Sequence, residues 1–296
     1  KYQPQLAVLT SVEADHLDYY KNLGNLLRAF KMFTSRVPHI VGNKEDKNIR
    51  KILSGKTGIA WFSLKQREAA ALRKILKVPG EHNVSNALAA LTTARALGIR
   101  DKVSFAALSR YKGSWRRFEI FQSTINHKLF TLVSDYGHHP TEIAATLRAA
   151  RTKWPKKKIW LVFQPHQYQR TFYLWKAFVK TLASIPADRV ILTDIYDVAG
   201  RENLAIKKRV SSKKLVKAIV SLREMSRRDK NWREIENLIL YIPTMEQIEA
   251  YLRKNLQGGE VVIIMGAGDI YERLAVQLIQ SRLRLTREGG KGKISQ

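Results

Sequence analysis

Residues 134 to 142, Ser134-Asp135-Tyr136-Gly137-His138-His139-Pro140-Thr141-Glu142, crowd two acids, a phenol and two imidazoles into a single turn. The run Lys128 to Val133 before it reads as a buried strand, and Thr141 to Ala150 reads as a helix with Pro140 near its first turn. The polar cluster therefore sits where a strand hands over to a helix. In open α/β sheets that place, at a strand's carboxyl end and facing a helix amino terminus, is where anionic ligands are held. Gly137 permits close backbone approach. Taken alone, the same residues also fit a solvated turn.

The elements that must position this turn follow a regular rhythm. The sequence predicts helix 141–153, strand 158–164, helix 172–184, strand 189–194, helix 212–222, strand 238–242, helix 245–255, strand 260–265 and helix 269–283. Such alternation implies a mainly parallel sheet with helices on both faces. Strand ends then share one rim, which carries Asp135 to His139, Gln164 to Thr171, Asp194 to Arg201 and Gly266 to Asp269. Gly266-Ala267-Gly268 reads as a tight strand-to-helix turn, because the full dinucleotide fingerprint is absent. Residues 207 to 236 read as an irregular basic insertion with helical character and 286 to 296 as a frayed tail.

Upstream, Leu6 to Thr10 reads as a buried strand with almost nothing before it, which suggests that part of its domain lies upstream. Glu13, Asp15, His16 and Asp18 follow, and either bind a divalent cation or simply end the strand in a polar loop. A helix from about Asn22 to Phe33, a short basic region and a strand at Ile59 to Leu64 come next. Pro79-Gly80-Glu81-His82-Asn83-Val84-Ser85-Asn86 leads into an Ala/Leu-rich helix ending near Gly98, where Asn83 or a neighbour serves as a cap. After a helix at Lys102 to Arg110, Gly113-Ser114-Trp115-Arg116-Arg117-Phe118-Glu119 marks a domain boundary; its paired arginines suit either a phosphate or an exposed linker. Two short strands with a turn at Asn126 complete this region.

Composition narrows the classes. The 296 residues suffice for two modest domains, and a hydrophobic fraction of 45% is that of a globular chain. No apolar run is long enough to span a bilayer, there is no signal-peptide pattern, and zero cysteines exclude disulfides and thiolate metal sites. The expected location is the cytoplasm, without membrane insertion. A net charge of +28 attracts polyanions: nucleic acid and anionic membrane surfaces generically, phosphate-rich small substrates specifically. No aromatic stacking array or nucleic-acid motif accompanies it.

Glu13-Ala14-Asp15-His16-Leu17-Asp18, Pro79 to Asn86, Arg116-Arg117-Phe118-Glu119, Asp135 to Glu142, Phe163-Gln164-Pro165-His166 with Arg170-Thr171, and Met265-Gly266-Ala267-Gly268-Asp269-Ile270 occur in the order found in the Mur ligases. Across nearly its whole length the chain resembles that family, and the Tyr136 to Glu142 form resembles its alanine-adding members. The resemblance implies an α/β fold: the later part of a central ATP-binding domain over 1–112, incomplete, then a mainly parallel, Rossmann-like amino-acid-binding domain over 113–296. It implies ATP-dependent amide formation, in which the carboxylate of UDP-N-acetylmuramate is activated as an acyl phosphate and attacked by L-alanine, in peptidoglycan precursor synthesis for cell-wall biogenesis, cell shape and division. The cofactors implied are ATP and Mg2+. By resemblance His16 is the magnesium-binding histidine, Asn83 and Asn86 approach the adenine, Arg117 meets the γ-phosphate and Asp135 lies on the ribose side. Tyr136, His138, His166 and Arg170 shape the alanine pocket, with Arg170 on its carboxylate; Arg117, Asp135 and His138 form the catalytic set.

The chain also departs from the family pattern. The phosphate-cradling Gly-x-x-Gly-Lys-Thr/Ser loop is found nowhere in it; Ser54-Gly55-Lys56-Thr57-Gly58 has the Gly-Lys-Thr but neither the leading glycine nor a preceding strand. The domain that binds the UDP part and the upstream acidic metal ligand are not in these residues, the span from His16 to His82 is short for the family, and Gln167 stands where many relatives carry arginine. The 296 residues are therefore expected to be inactive alone, with a separate upstream chain as a partner that supplies the missing parts. The alternative reading is a non-catalytic, basic, nucleic-acid-binding protein on a degenerate ligase scaffold; the retained His16, Arg117, Asp135, His138 and Arg170 argue against nucleic acid as a partner.

Overall fold

The computed structural model describes residues 4–200, 203–226 and 238–280, which fall into two units, Lys1–Gly113 and Ser114–Gln296. In the first unit β1 (Leu6–Leu9), β2 (His39–Asn43) and β3 (Ile59–Phe62) form a parallel sheet in that order. Helices α1 (Leu17–Tyr20), α2 (Leu23–Ser35) and α3 (Lys47–Ile52) come between the strands. Helices α4 (Glu68–Ile75), α5 (Glu81–Ala96) and α6 (Asp101–Arg110) come after them. Strand alternation explains the two cores: Ile40 packs with Leu26, Leu27 and Ile49, whereas its neighbour Val41 points the other way, to Leu72 and Leu88.

Two polar side chains secure this unit. Asp46 caps α3, Oδ1 accepting from the amides of Asn48 (2.8 Å) and Ile49 (2.9 Å), while Oδ2 accepts from Val12 N (3.0 Å) and so fixes the loop after β1. The Lys56 ammonium donates to the carbonyls of Thr34 and, at 3.2 Å, Val37, where α2 ends. The lysine of the isolated Gly-Lys-Thr is therefore occupied with closing a helix.

The second unit begins with a hairpin of β4 (Glu119–Ile125) and β5 (Lys128–Asp135), turned by Asn126 and His127, both at positive φ (48° and 61°) as a tight hairpin requires. Then follow α7 (Pro140–Lys153), β6 (Ile159–Phe163), α8 (Tyr168–Tyr173), α9 (Trp175–Ser184), β7 (Arg189–Leu192), α10 (Leu204–Lys207) and α11 (Ser212–Ser226). The last elements are β8 (Ile239–Tyr241), α12 (Met245–Asn255), β9 (Val261–Met265) and a helical segment opening with a π-helical turn at Tyr271–Ala275. The sheet order is β4-β5-β9-β6-β7-β8, parallel apart from β4. Strands β6 and β9 are buried at every residue, which is why they read as unbroken apolar runs. On one face Trp160, Val162, Val262 and Ile264 pack with Ile248 and Leu252 of α12 and with Leu274. On the other, Phe178 of α9 meets Phe163 with ring centroids 6.0 Å apart.

The expected α/β architecture is present, with four local corrections. The helix expected at 172–184 is two, α8 beginning four residues earlier at the sheet rim, and the break falls at Leu174. Asn83 does not cap α5: Gly80 occupies that position, and the Asn83 amide donates to Pro79 O (2.7 Å). The stretch taken as a basic region between α2 and β3 contains β2 and α3. The Glu13–Asp18 cluster is not a preformed cation site, because among the described residues no group of three or more His, Asp or Glu is arranged to hold a metal. The expected tail at 286–296 and residues 227–236 of the basic insertion lie outside the described residues.

Candidate functional site

Asp135 ends β5 and is buried. Its Oδ1 accepts from Gly137 N (2.7 Å), and its Oδ2 accepts from Phe118 N (3.2 Å) and the Thr146 hydroxyl (3.1 Å). Burial pushes its carboxyl above the usual range, although the Gly137 amide, the Thr146 hydroxyl and nearby Arg117 pull it back. The carboxylate expected on the ribose side of a nucleotide is thus turned inward, where it joins the start of β4 to the turn after β5.

The start of α7 is built from the cluster itself. Pro140 occupies the first helical position, His139 Nδ1 accepts from Thr141 N (3.3 Å), and Glu142 Oε2 accepts from the amides of His138 (2.8 Å) and His139 (2.9 Å). Burial works to raise the Glu142 carboxyl, but the two amides, the His138 ring and Arg117 outweigh it and hold the group below the ordinary range. Glu142 Oε1 lies 3.6 Å from Arg117 Nη1, and the Arg117 guanidinium sits 5.3 Å from the Tyr136 ring centre. Arg117 is half-exposed, so its fork is presented to solvent at the rim.

Arg116, its neighbour, is buried with 4% exposure, and its Nη2 donates to Gly266 O (2.6 Å). Its guanidinium lies 5.5, 5.0 and 4.7 Å from the ring centres of Trp115, Tyr136 and Tyr271. Arg116 and Phe118 both adopt positive φ (52° and 53°) as the chain enters β4. One arginine of the pair thus braces the β9 turn from inside while the other stands outside. The sequence did not distinguish them; Trp115, Tyr136 and Tyr271 would have been the signal, but they are scattered along the chain.

The rim continues through the residues after β6. The His138 and His166 rings lie 5.8 Å apart, and His138 meets the Tyr136 ring edge-on at 5.7 Å. His166 stacks on Tyr196, 5.4 Å between centres and 11° between planes, and the two residues pair as an isolated parallel bridge. Arg170, in α8, is 8% exposed and directs Nη1 to His166 Nδ1 (3.1 Å) and His166 O (3.3 Å). Since arginine only donates, that contact requires Nδ1 to carry the lone pair. Gln164 bridges to the next loop, Nε2 donating to Asp269 Oδ1 (2.7 Å) and Oε1 accepting from Ile270 N (3.2 Å). Tyr196, Gln164 and Arg116 were not singled out as site residues, and they hold the ones that were.

The structure therefore gathers Tyr136, His138, His166 and Arg170, with Arg117 beside them, on the carboxyl edge of the second sheet. His16, Asn83 and Asn86 belong to the first unit. His16 precedes α1 at φ 52° with its Nε2 3.7 Å from Asp15, and Asn83 and Asn86 stand three residues apart on α5. The donor set fits an anion at the second-unit rim, where a half-exposed guanidinium adjoins a buried one. For a divalent cation, His16 lies beside Asp15, and among the described residues no three His, Asp or Glu are grouped to hold a metal.

Residues 116–268 match the family model described as the Mur ligase, glutamate ligase domain, and residues 1–75 match the Mur ligase middle domain. The UDP-N-acetylmuramate–L-alanine ligase of Acetivibrio thermocellus is 35% identical over 301 residues, covering 92% of this chain and 59% of its own. The UDP-N-acetylmuramate-alanine ligase structure from Thermotoga maritima aligns over 98% of this chain and 60% of its own, with a TM-score of 0.64 at 24% identity. A MurF ligase from Thermotoga maritima in complex with ADP aligns over 95% of this chain and 63% of its own, with a TM-score of 0.62 at 15% identity. The chain spans about three-fifths of the length of such relatives, and it belongs to the Mur ligase family.

Proposed function

We propose that this chain carries the amino-acid-binding domain, and the later part of the ATP-binding domain, of a ligase that joins L-alanine to UDP-N-acetylmuramate in peptidoglycan precursor synthesis. The observation that carries this reading is the Arg170–His166–Tyr196 assembly, a buried guanidinium fixed beside His138 at the rim, in a chain whose relatives bear that ligase name. A forked, permanently charged donor suits the carboxylate of an amino acid. Tyr136 and His138 close the pocket around its side chain and amine, and His138 accepts the proton that the ammonium group must lose before it attacks.

ATP, when bound, supplies the phosphoryl group that activates the other carboxylate. Arg117 offers its fork to a terminal phosphate, steadied by Glu142 on one edge and Tyr136 beneath. The base-side roles proposed for Asn83 and Asn86 belong to the first unit, where the Asn83 amide already donates to Pro79 O (2.7 Å). Asp135 is a positioning residue in this scheme, since its oxygens already serve Gly137, Phe118 and Thr146. No step is assigned to a metal; His16, 3.7 Å from Asp15, would be one of its ligands.

The 296 residues are proposed to be inactive by themselves, since no phosphate loop is present and Lys56 is committed to α2. The test is phosphate release from ATP with magnesium, UDP-N-acetylmuramate and L-alanine, using the chain alone and with the polypeptide encoded immediately upstream. Release that needs both substrates and the upstream polypeptide is expected. Turnover by the chain alone would remove the inactivity claim, and no release from a folded mixture would overturn the ligase reading.

A further inference from the structure

The two helical layers that cover the second sheet differ sharply in charge. Helix α12 and residues 271–280, on one face, carry three cations and three acids. Ion pairs tie most of these together: Arg253 with Glu249 (2.5 Å) and Arg273 with Glu246 (2.8 Å). The opposite layer has α9 lying between α7 and α11, and these three helices carry nine cations against two acids, Glu142 and Glu224. Glu142 is already engaged at the rim.

Helical geometry aims seven of these nine cations outward; Arg223 is buried and donates to Ala183 O (2.9 Å), and Arg151 is paired with Asp188 (2.7 Å). On α11 the exposed positions Lys213, Lys214, Lys217, Ser221, Glu224 and Met225 fall within one stripe of roughly 120° at 100° per residue. Lys176 and Lys180 form the exposed stripe of α9, with Ala177 and Ser184, and α9 has no acid. Arg148 and Lys153 lie on the exposed side of α7. A cleft of about 980 Å3 at the end of this layer adds Lys158 and Arg189. Met225, at 84% exposure, ends the α11 stripe with an apolar side chain, about two turns beyond Lys217 and next to Glu224.

We propose that the α7–α9–α11 face of the second unit is an electrostatic docking surface for an anionic lipid bilayer. The exposed cations are almost all lysines, strongly hydrated point charges that suit a diffuse field of head groups more than bidentate recognition. Apart from Lys158, Lys180 and Arg189 at the cleft, they are spread over a layer of three packed helices rather than along one continuous groove for a strand of nucleic acid. Met225 supplies the apolar contact expected of an interfacial surface. Among the described residues no helix is long and apolar enough to cross a membrane, so this is association at the surface. The face uses none of the groups assigned to the ligase rim.

The test is co-sedimentation of the full 296-residue chain with vesicles of equal parts phosphatidylglycerol and phosphatidylcholine, against pure phosphatidylcholine. A variant carrying K176Q, K180Q, K213Q and K217Q is compared with a charge-matched control carrying K31Q, K51Q, K65Q and K77Q, all exposed residues of the first unit. The expected result is a fall in partitioning of about 100-fold or more for the face variant and less than threefold for the control. Equal losses in both would show that net charge alone acts, and would overturn the proposal. So would unchanged vesicle binding together with a selective loss of duplex DNA binding in the face variant, which would assign the face to nucleic acid. Circular dichroism confirms folding of both variants, and M225S is expected to weaken vesicle binding about threefold.

Discussion

Replacing Gly266 by alanine tests whether the turn after β9 is as tightly specified as its geometry indicates. Gly266 has φ 153°, and a Cβ there would lie 2.9 Å from the carbonyl oxygen of Gln164, 3.2 Å from Gln164 Cβ and 3.2 Å from Ile270 Cγ2. The nearest of these is backbone, held by Gln164 N bonding to Met265 O (3.0 Å), so it cannot swing aside as a side chain would. The conformational term costs about 1 to 2 kcal/mol, and the overpacking about 1 to 3 kcal/mol more. Together they predict a loss of about 2 to 5 kcal/mol in the second unit. Gly259 supplies the control, since it too has positive φ (88°) but a Cβ added there would meet nothing within 4 Å. Gly259→Ala should therefore show only the conformational part, about 1 to 2 kcal/mol. Urea unfolding followed by tryptophan fluorescence and far-UV circular dichroism measures both. If Gly266→Ala costs no more than Gly259→Ala, the close approach of the two loops is wrong.

Lys56→Met should destabilise the first unit by about 1 to 2 kcal/mol in urea unfolding, because the Thr34 and Val37 carbonyls lose a charged donor. It should leave nucleotide affinity, measured by calorimetry on the assembled enzyme, unchanged. Arg170→Lys in that enzyme should raise KM for L-alanine by about tenfold or more, with KM for ATP within about twofold, since lysine lacks the fork. Glu142 is held below the ordinary carboxylate range, so its contribution to stability is present above its unfolded pKa and lost as pH falls through its folded pKa. The stability gap between wild type and Glu142→Gln should accordingly be widest near neutrality and close in acid; a gap constant with pH would refute the assignment.

The strand-to-helix turn around Asp135 was legible because a polar cluster, a proline and a flanking apolar run agree on one structure. Strands β6 and β9 were legible because burial on both faces leaves an unbroken apolar record. Strand β2 was not, since only Ile40 and Val41 separate His39 from Gly42 and Asn43. The break between α8 and α9 has no proline or glycine to announce it. Charge gave the wrong impression of Arg116, whose burial depends on three aromatic rings brought together only by the fold. The same holds for Tyr196, which reaches His166 through a single bridge between two loops. Local pattern located the rim, and tertiary pairing decided which of its residues face outward and which brace them.

The strand order has a further consequence for how the second unit is made. Strand β9 is the last of the described strands yet lies between β5 and β6, pairing with both. Until residues 261–265 leave the ribosome, the hairpin of β4 and β5 and the ladder of β6, β7 and β8 have no hydrogen bonds in common. Two half-sheets must wait with facing edges unpaired, a state open to mispairing with other nascent chains. The rim that the two halves share is completed at the same moment, so it forms only after β9 has been synthesised.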